Sequence, residues 1–518
     1  MEENKLTELT LTVNEIDAFP DRIAAVSQED YNKIGSLSRK HLVLSPKTKT
    51  KSINQEIYVS ELVVIPSYKK GEIGLTKAMK KKLKTANGKK LSARLEIRFP
   101  PDSYNFIKKR MKSNSPFIKP ELDTIVSDIT SGRLNELEKS ALILSQYFQD
   151  YSMDEIEFLC RAIADTGDTV DFQGIACDKH SLGGVPGNKV SLLLVPIVAA
   201  AGLLIPKTSS RAITSASGTG DTMEALGCRV SFQPDEIIDI TSKTNGMICW
   251  GGALNLAPAD DILINDVEFP LGINPRSMMM ASIMAKKKAF GIETLVLDMP
   301  TGKGCKVETL AEAQVLSRSF GELGRRLDIR VECGITYGSS PVGHNIGPAL
   351  EAREALDALI NPKEASNSLI EKSTTLAGIL LEMMGKALRG QGQAKARDIL
   401  YKGDAYSKMK EIMEAQEADP NIKPEEIPVG EYTFEYIAPT NGWIVEIDNT
   451  IITRIAKSAG APTVKGAGIE FLRKKQAVKA GEAVFRVHAE TEQRLRDVEA
   501  VVAKSQPVTI EGMLLGRI

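Results

Sequence analysis

Residues 190–206, VSLLLVPIVAAAGLLIP, contain no charged side chain and a single hydroxyl, that of Ser191. Such a stretch narrows the possible folds sharply, because a helix that is apolar all round has to be covered all round. It is too short for a membrane span, which takes ~20 consecutive apolar residues, and it holds Pro196 and Gly202. The segment is therefore expected as a helix in the core of a soluble protein. A chain of 518 residues, 42% hydrophobic and 26% charged, is long enough to supply that cover from roughly two to four domains.

Directly ahead of the run stands DKHSLGGVPGNK, residues 178–189. Gly183, Gly184 and Gly187 let the backbone turn so that several N–H groups face one point, and a helix starting near Asn188 directs its positive end there. Lys179 and the hydroxyl of Ser181 add a full charge and a donor. Together these groups suit a tetrahedral dianion such as phosphate. A nucleotide P-loop does not fit, because G-x-x-x-x-G-K-[ST] needs Gly and Lys adjacent and Asn188 separates Gly187 from Lys189.

A second loop, KTSSRAITSASGTGDTMEALG, spans residues 207–227. Ser209, Ser210, Thr214, Ser215, Ser217 and Thr219 surround Arg211, and Gly218 and Gly220 precede a helix expected near Asp221. The dinucleotide fingerprint G-x-G-x-x-G is absent, since Met223 stands where the third glycine belongs. Two anion loops, each leading into a helix, suggest two faces of one pocket. In a third stretch, PRSMMMASIMAKKKAFG, Ser282 and Lys286 lie four apart and share one helix face. Lys287 and Lys288 are expected in solvent, and Met278, Met279 and Met280 in the core.

Around these loops the texture changes along the chain. Residues 1–95 alternate in strand fashion, as at Leu9, Leu11 and Val13, and are expected to form a β-rich N-terminal extension. Residues 96–170 carry helical spacing and form a helical domain suited to packing across a dimer. From 171 to 424 strands such as ETLVLDMP and IRVECGIT alternate with helices, one of them opened by a capping box at Thr309 and Glu312. That alternation implies a multidomain α/β protein with a mainly parallel sheet, whose ligands sit beyond the carboxyl ends of the strands. Residues 425–518 read as a C-terminal α+β domain.

The 66 basic and 67 acidic residues cancel to a net charge of −1, so neither nucleic acid nor a membrane surface is expected as a partner, and the lysine-dense stretch at 69–90 is read as a solvated face. Six cysteines without a CxxC pair or metal-ligand spacing, and a start lacking the pattern of a secretory signal, lead to an expectation of reduced thiols in a cytoplasmic protein with no metal site.

DKHSLGGV followed by SSRAITSASGTGDTMEAL resembles the signature pair of the thymidine phosphorylase family. The form GGVPGNK, with the N-terminal extension, resembles its long branch, which holds AMP phosphorylases and type 2 thymidine phosphorylases. The similarity runs from about residue 116 to the C-terminus. It implies reversible phosphorolysis, in which phosphate displaces a nucleobase from C1′ of the sugar, on a helical domain hinged to an α/β domain, usually in a homodimer or larger homo-oligomer. Phosphate is then the nucleophile, so the protein binds and orients it, and no cofactor is needed. By resemblance, Lys179, Ser181, Gly184, Ser191, Ser209 and Thr219 hold phosphate. His180 assists the departing base and Arg211 joins it as a catalytic group, while Ser210, Arg211, Thr214, Ser215, Asn274, Ser282, Lys286 and Lys306 contact the nucleoside or nucleotide.

Two departures bear on the substrate. The short thymidine phosphorylases carry a base-binding arginine before an aspartate, where LINDVEF has Asn265 before Asp266. The AMP branch carries an aspartate, proposed as proton donor, in a D-P dipeptide, where GINPRSMMMAS has Asn274. An amide does not serve as a general acid. The expectation is therefore thymidine phosphorolysis to thymine and 2-deoxyribose 1-phosphate, with AMP phosphorylase as the alternative. More distant alternatives are a phosphoribosyltransferase, which would use Mg²⁺ held by carboxylates, and a non-catalytic nucleotide-binding assembly protein.

Overall fold

The computed structural model describes residues 8–16, 23–37, 40–46, 56–97, 100–212 and 215–512. The chain divides into two compact units, residues 1–166 with 257–285, and residues 167–256 with 286–518.

The first unit opens with a mixed seven-stranded sheet of β1 (Glu8–Glu15), β2 (Ile23–Val26), β3 (Lys40–Pro46), β4 (Ile57–Val59), β5 (Glu61–Val64), β6 (Glu72–Leu75) and β7 (Lys90–Ile97), in the order β4-β3-β7-β1-β6-β2-β5. Alternation decides which face of β1 is buried: Leu9, Leu11 and Val13 enter the core with Leu42, Leu44, Ile73 and Leu91. The lysine-dense stretch becomes β6 and a short helix, Lys77–Lys82. Lys80 pairs there with Glu15, and Lys82 donates to the Thr130 carbonyl at 2.5 Å.

The helices Asp102–Ser113, Lys119–Ser131, Glu136–Phe148 and Met153–Asp165 follow. Capping boxes at Asn135/Glu138 and Ser152/Glu155 start the last two by satisfying backbone N–H groups that the first turn leaves free. The chain returns to this unit in Pro258–Leu263 and a single π-helical turn, Ile264–Glu268.

The second unit is built on parallel strands. β8 (Ala176–Ser181), β9 (Ile205–Ser209), β10 (Gly246–Trp250), β11 (Ile292–Thr301) and β12 (Arg330–Tyr337) form two ladders, β12-β11-β8 and β9-β10. A parallel bridge between Ala176 and Leu204 links them. Seven of the last eight residues of β11 are buried and the final one is half-buried, as expected for a strand covered on both faces. The apolar run forms the helix Val190–Ala200, buried from Val190 to Ala199 and packed against the helices Asn367–Met383 and Asp404–Ala415. Among the described residues no helix is long and apolar enough to cross a membrane.

The remaining strands are β13 (Asn345–Ile346), β14 (Tyr432–Ile437), β15 (Gly442–Ile447), β16 (Gly468–Phe471), β17 (Ala477–Val478), β18 (Ala483–Ala489) and β19 (Val508–Glu511). They make two antiparallel sheets, β13-β16-β18-β14 and β17-β15-β19. Their core takes in Ile452, Ile455, Ala456 and Ala459 from the helix Asn449–Ala459, and also Ala216 from the serine-rich loop.

Candidate active site

The two glycine loops leave neighbouring parallel strands, β8 and β9, at their carboxyl ends. In the first, Gly183, Gly184 and Gly187 have φ of 81°, 90° and 72°, the left-handed region that disfavours a side chain. Gly187 is also held by space, since a Cβ there would lie 2.5 Å from the Val342 carbonyl oxygen. Lys189 is already paired: its ammonium is buried 2.8 Å from Glu354 and donates to the Val342 carbonyl at 3.0 Å. It anchors the start of the core helix. Ser191 is buried in the first turn of that helix.

At the end of β8 a dense charge cluster forms. Asp178 accepts from the Lys287 ammonium at 2.6 Å and lies 3.7 Å from Lys207, while Lys287 also donates to the Thr208 hydroxyl at 2.7 Å. On β11, Asp298 pairs in register with Ser181. It accepts from the Ser181 hydroxyl at 2.8 Å and the Thr336 hydroxyl at 2.6 Å, and faces Lys372 at 3.1 Å and Lys179 at 3.8 Å. Asn188 donates to the Ser181 oxygen at 3.1 Å. With every lysine protonated, four buried lysines against two buried aspartates leave two positive charges over, equal and opposite to the charge of a phosphate dianion. Lys287 corrects the expectation that it would be solvated: the helix Arg276–Ala289 directs it onto Asp178, with 2% of its surface exposed. Lys288, also expected in solvent, is half-buried and donates to the Leu327 carbonyl at 3.0 Å.

Burial, opposed by nearby Asp298, lowers the Lys179 pKa to about 8; burial, opposed by Asp178, lowers that of Lys207 to about 7. For Asp298 burial acts against ionisation, but Lys372, Lys179 and the hydroxyls of Thr336 and Ser181 outweigh it and hold the carboxyl below its usual range. His180 sits well below the ordinary imidazole range, through burial first and then through Lys287, Lys207, Lys179 and Lys306. It is a neutral hydrogen-bonding group at neutral pH.

The second loop is organised by Asp221, which accepts from the N–H of Ala212 at 2.7 Å and of Gly218 at 3.0 Å and pairs with Lys465 at 3.0 Å. Ser209 donates to the Cys249 carbonyl at 3.0 Å, Ser210 is exposed, and Ser215 donates to the Ser217 carbonyl at 3.0 Å. Thr219 opens the helix Thr219–Ala225, and Thr214 lies outside the described residues. Arg211 pairs with Glu224 at 2.5 Å and stacks over Trp250 with its guanidinium carbon 4.0 Å from the ring centre.

Ser282 and Asn274 belong to the first unit, where Ser282 donates to the buried Asp260 at 2.8 Å and Asn274 is exposed. Asn265 donates to the Asp261 carbonyl at 2.8 Å, and Asp266 pairs with Lys139. Lys286 is half-buried, and Lys306 is exposed on the loop after β11. Met278 and Met280 are in the core, as expected, and Met279 is half-buried.

The sequence reading missed Asp178, Lys207, Lys287, Asp298 and Lys372. For Lys207 in IPKTS and Asp298 in LVLDMP a signal existed, since a charge inside a strand covered on both faces has to be paired. Among the described residues no group of three or more His, Cys, Asp or Glu side chains is placed to hold a metal ion.

The glycosyl transferase family, a/b domain, matches residues 173–406. The AMP phosphorylase of Thermococcus kodakarensis is 47% identical over 508 residues, 97% of this chain and 98% of that protein. The AMP phosphorylase of Methanosarcina mazei is 51% identical over 412 residues, covering 79% and 81% of the two chains. The anthranilate phosphoribosyltransferase of Thermus thermophilus matches in fold, with a TM-score of 0.51 at 17% identity over 61% of this chain and all of that one. These relatives overturn the expectation of a thymidine phosphorylase. That expectation rested on Asn274, and one position does not outweigh 47% identity along almost the whole length.

Proposed function

The chain belongs to the thymidine/AMP phosphorylase family, in the branch with an N-terminal extension, and on that footing we propose that it is a nucleoside monophosphate phosphorylase. It converts AMP, or another nucleoside monophosphate, and phosphate into free base and ribose 1,5-bisphosphate. The observation that carries the chemistry is the buried cluster of four lysines and two aspartates beneath the glycine loop, which carries two positive charges in excess once a bound dianion keeps every lysine protonated.

A dianion there satisfies Lys179 and Lys207 and becomes a fixed nucleophile. One phosphate oxygen attacks C1′ as the C1′–N bond breaks, and the base leaves with the electron pair. Neutral His180 offers a hydrogen bond to the departing base without carrying a net proton. Gly184, Ser181, Ser191, Ser209 and Thr219 belong to the phosphate side of this reading. Ser210, Arg211, Thr214, Ser215, Asn274, Ser282, Lys286 and Lys306 belong to the nucleotide side.

The reading includes a cytoplasmic homodimer or larger assembly. It is supported by five buried free cysteines and by an apolar face on the helix Glu136–Phe148 that leaves Leu137 80% and Phe148 77% exposed.

The test incubates the protein with phosphate and, separately, AMP, CMP, uridine, deoxyuridine and thymidine, and measures free base. Phosphate-dependent release from a monophosphate is expected. No release from either monophosphate would overturn the reading.

A further inference from the structure

The serine-rich loop after β9 is held at two points by the C-terminal domain. The first is apolar: Ala216, 2% exposed, sits in the core of that domain with Ile346, Ile455 and Phe485. The second is ionic. Lys465 reaches Asp221 at 3.0 Å and Glu224 at 2.7 Å, across 244 and 241 positions of the chain. Its own backbone is fixed, since its carbonyl accepts from the Ala349 N–H at 3.0 Å. The next residue, Gly466, is packed so tightly that a Cβ there would lie 2.9 Å from the Gly430 nitrogen.

Both carboxylates act on the loop. One oxygen of Asp221 accepts from the N–H groups of Ala212 and Gly218 and so draws the two ends of residues 212–218 together; the other is the oxygen that Lys465 takes. The closure is tight, because a Cβ on Gly218 would lie 2.5 Å from the Ser210 carbonyl oxygen. Glu224 divides its oxygens in the same way, Oε2 accepting from Lys465 and Oε1 from Arg211. Burial opposes the ionisation of Glu224, but the hydrogen bonds from Lys465 and Arg211 outweigh it and hold the carboxyl below its usual range. The guanidinium of Arg211 then lies over Trp250.

Lys465 and Arg211 balance Asp221 and Glu224 charge for charge. Without Lys465 the group carries one negative charge in excess, and both oxygens of Glu224 are open to the planar fork of Arg211, which favours a bidentate carboxylate. The guanidinium is then drawn off the ring, and the excess charge repels an incoming phosphate ester. We propose that Lys465 is a positioning residue: it closes the serine-rich loop through Asp221 and, by occupying one oxygen of Glu224, keeps Arg211 over Trp250 and available to the nucleotide. This rests on the reading of the protein as a nucleoside monophosphate phosphorylase.

The test starts from Lys465→Met, which keeps an unbranched side chain at a position 38% exposed. Its KM for AMP should rise about tenfold and its KM for inorganic phosphate less than about threefold, because the buried lysine cluster is untouched, and Lys465→Arg should recover most of the loss. An unchanged KM for AMP, an equal rise for phosphate, or a loss that Lys465→Arg does not recover would overturn the proposal. A second readout needs no turnover. The chain has two tryptophans, and in a Trp443→Phe background, Trp443 being 52% exposed, emission comes from Trp250 alone. Adding Lys465→Met should move that emission in the same direction as adding Arg211→Ala, and adding Lys465→Arg should leave it in place; emission unmoved by Lys465→Met refutes the positioning role. If the parent enzyme releases no base from AMP, the functional reading fails, and the Trp250 emission still decides whether Lys465 sets Arg211.

Discussion

Anion binding at the lysine cluster should draw protons out of solution. With folded pKa values of about 7 for Lys207 and about 8 for Lys179, the first is ~10% and the second ~50% protonated at pH 8 in the anion-free protein. A dianion that restores full charge to both takes up about 0.9 and about 0.5 proton, roughly 1.4 together, and at pH 6 the uptake shrinks to about 0.1. The assay is isothermal titration calorimetry in buffers of different ionisation enthalpy. Sulfate serves as the probe beside phosphate, because it stays a dianion over this range. Lys207→Met should remove about 0.9 proton of the uptake at pH 8. An uptake below about 0.3 proton for the parent at pH 8 would refute the reasoning, because the lysines would then be fully charged before the anion arrives.

Two predictions concern stability. Lys287→Met removes the 2.6 Å partner of Asp178 and leaves Lys207 at 3.7 Å and the Lys179 backbone N–H at 2.7 Å, so the protein should lose about 3–5 kcal/mol, with part regained by adding Asp178→Asn; an unchanged denaturant midpoint would contradict this. Glu351, buried on the helix Pro348–Ile360, has its pKa raised from 4.5 to about 7, chiefly by burial. Its folded form keeps a proton that the unfolded chain has lost, so its contribution to stability falls as pH rises from 4.5 towards 7. Glu351→Gln should therefore be more stable than the parent above pH 7, by on the order of 3 kcal/mol, and close to it below about pH 4.5 in denaturant titrations; equal stability at both pH values would contradict the raised pKa.

Much of the fold could be read from local pattern. The apolar run is the buried helix, ETLVLDMP and IRVECGIT are neighbouring parallel strands, and the capping box at Thr309 starts the helix it was expected to start. Each depends on residues a few positions apart. The substrate was misjudged for a different reason: Asn274 was weighed as the seat of an obligatory acid, and the identity of the whole chain to AMP phosphorylases points the other way.

Lys189 and Lys287 mark the boundary of what a sequence shows. Both stand in lysine-containing stretches beside apolar residues, one next to the glycine loop and one within AKKKAF. The sequence by itself determined that a glycine loop leads into the buried helix, because the glycines and the helix start are contiguous. Tertiary structure alone decided which lysines are buried beside it. Lys189 is turned onto Glu354, while Lys287 meets Asp178 across 109 positions and Lys372 meets Asp298 across 74. A buried charge takes its strength from whatever lies within a few ångströms in a medium of low polarisability, and those neighbours come together only when the sheet and its helices are assembled.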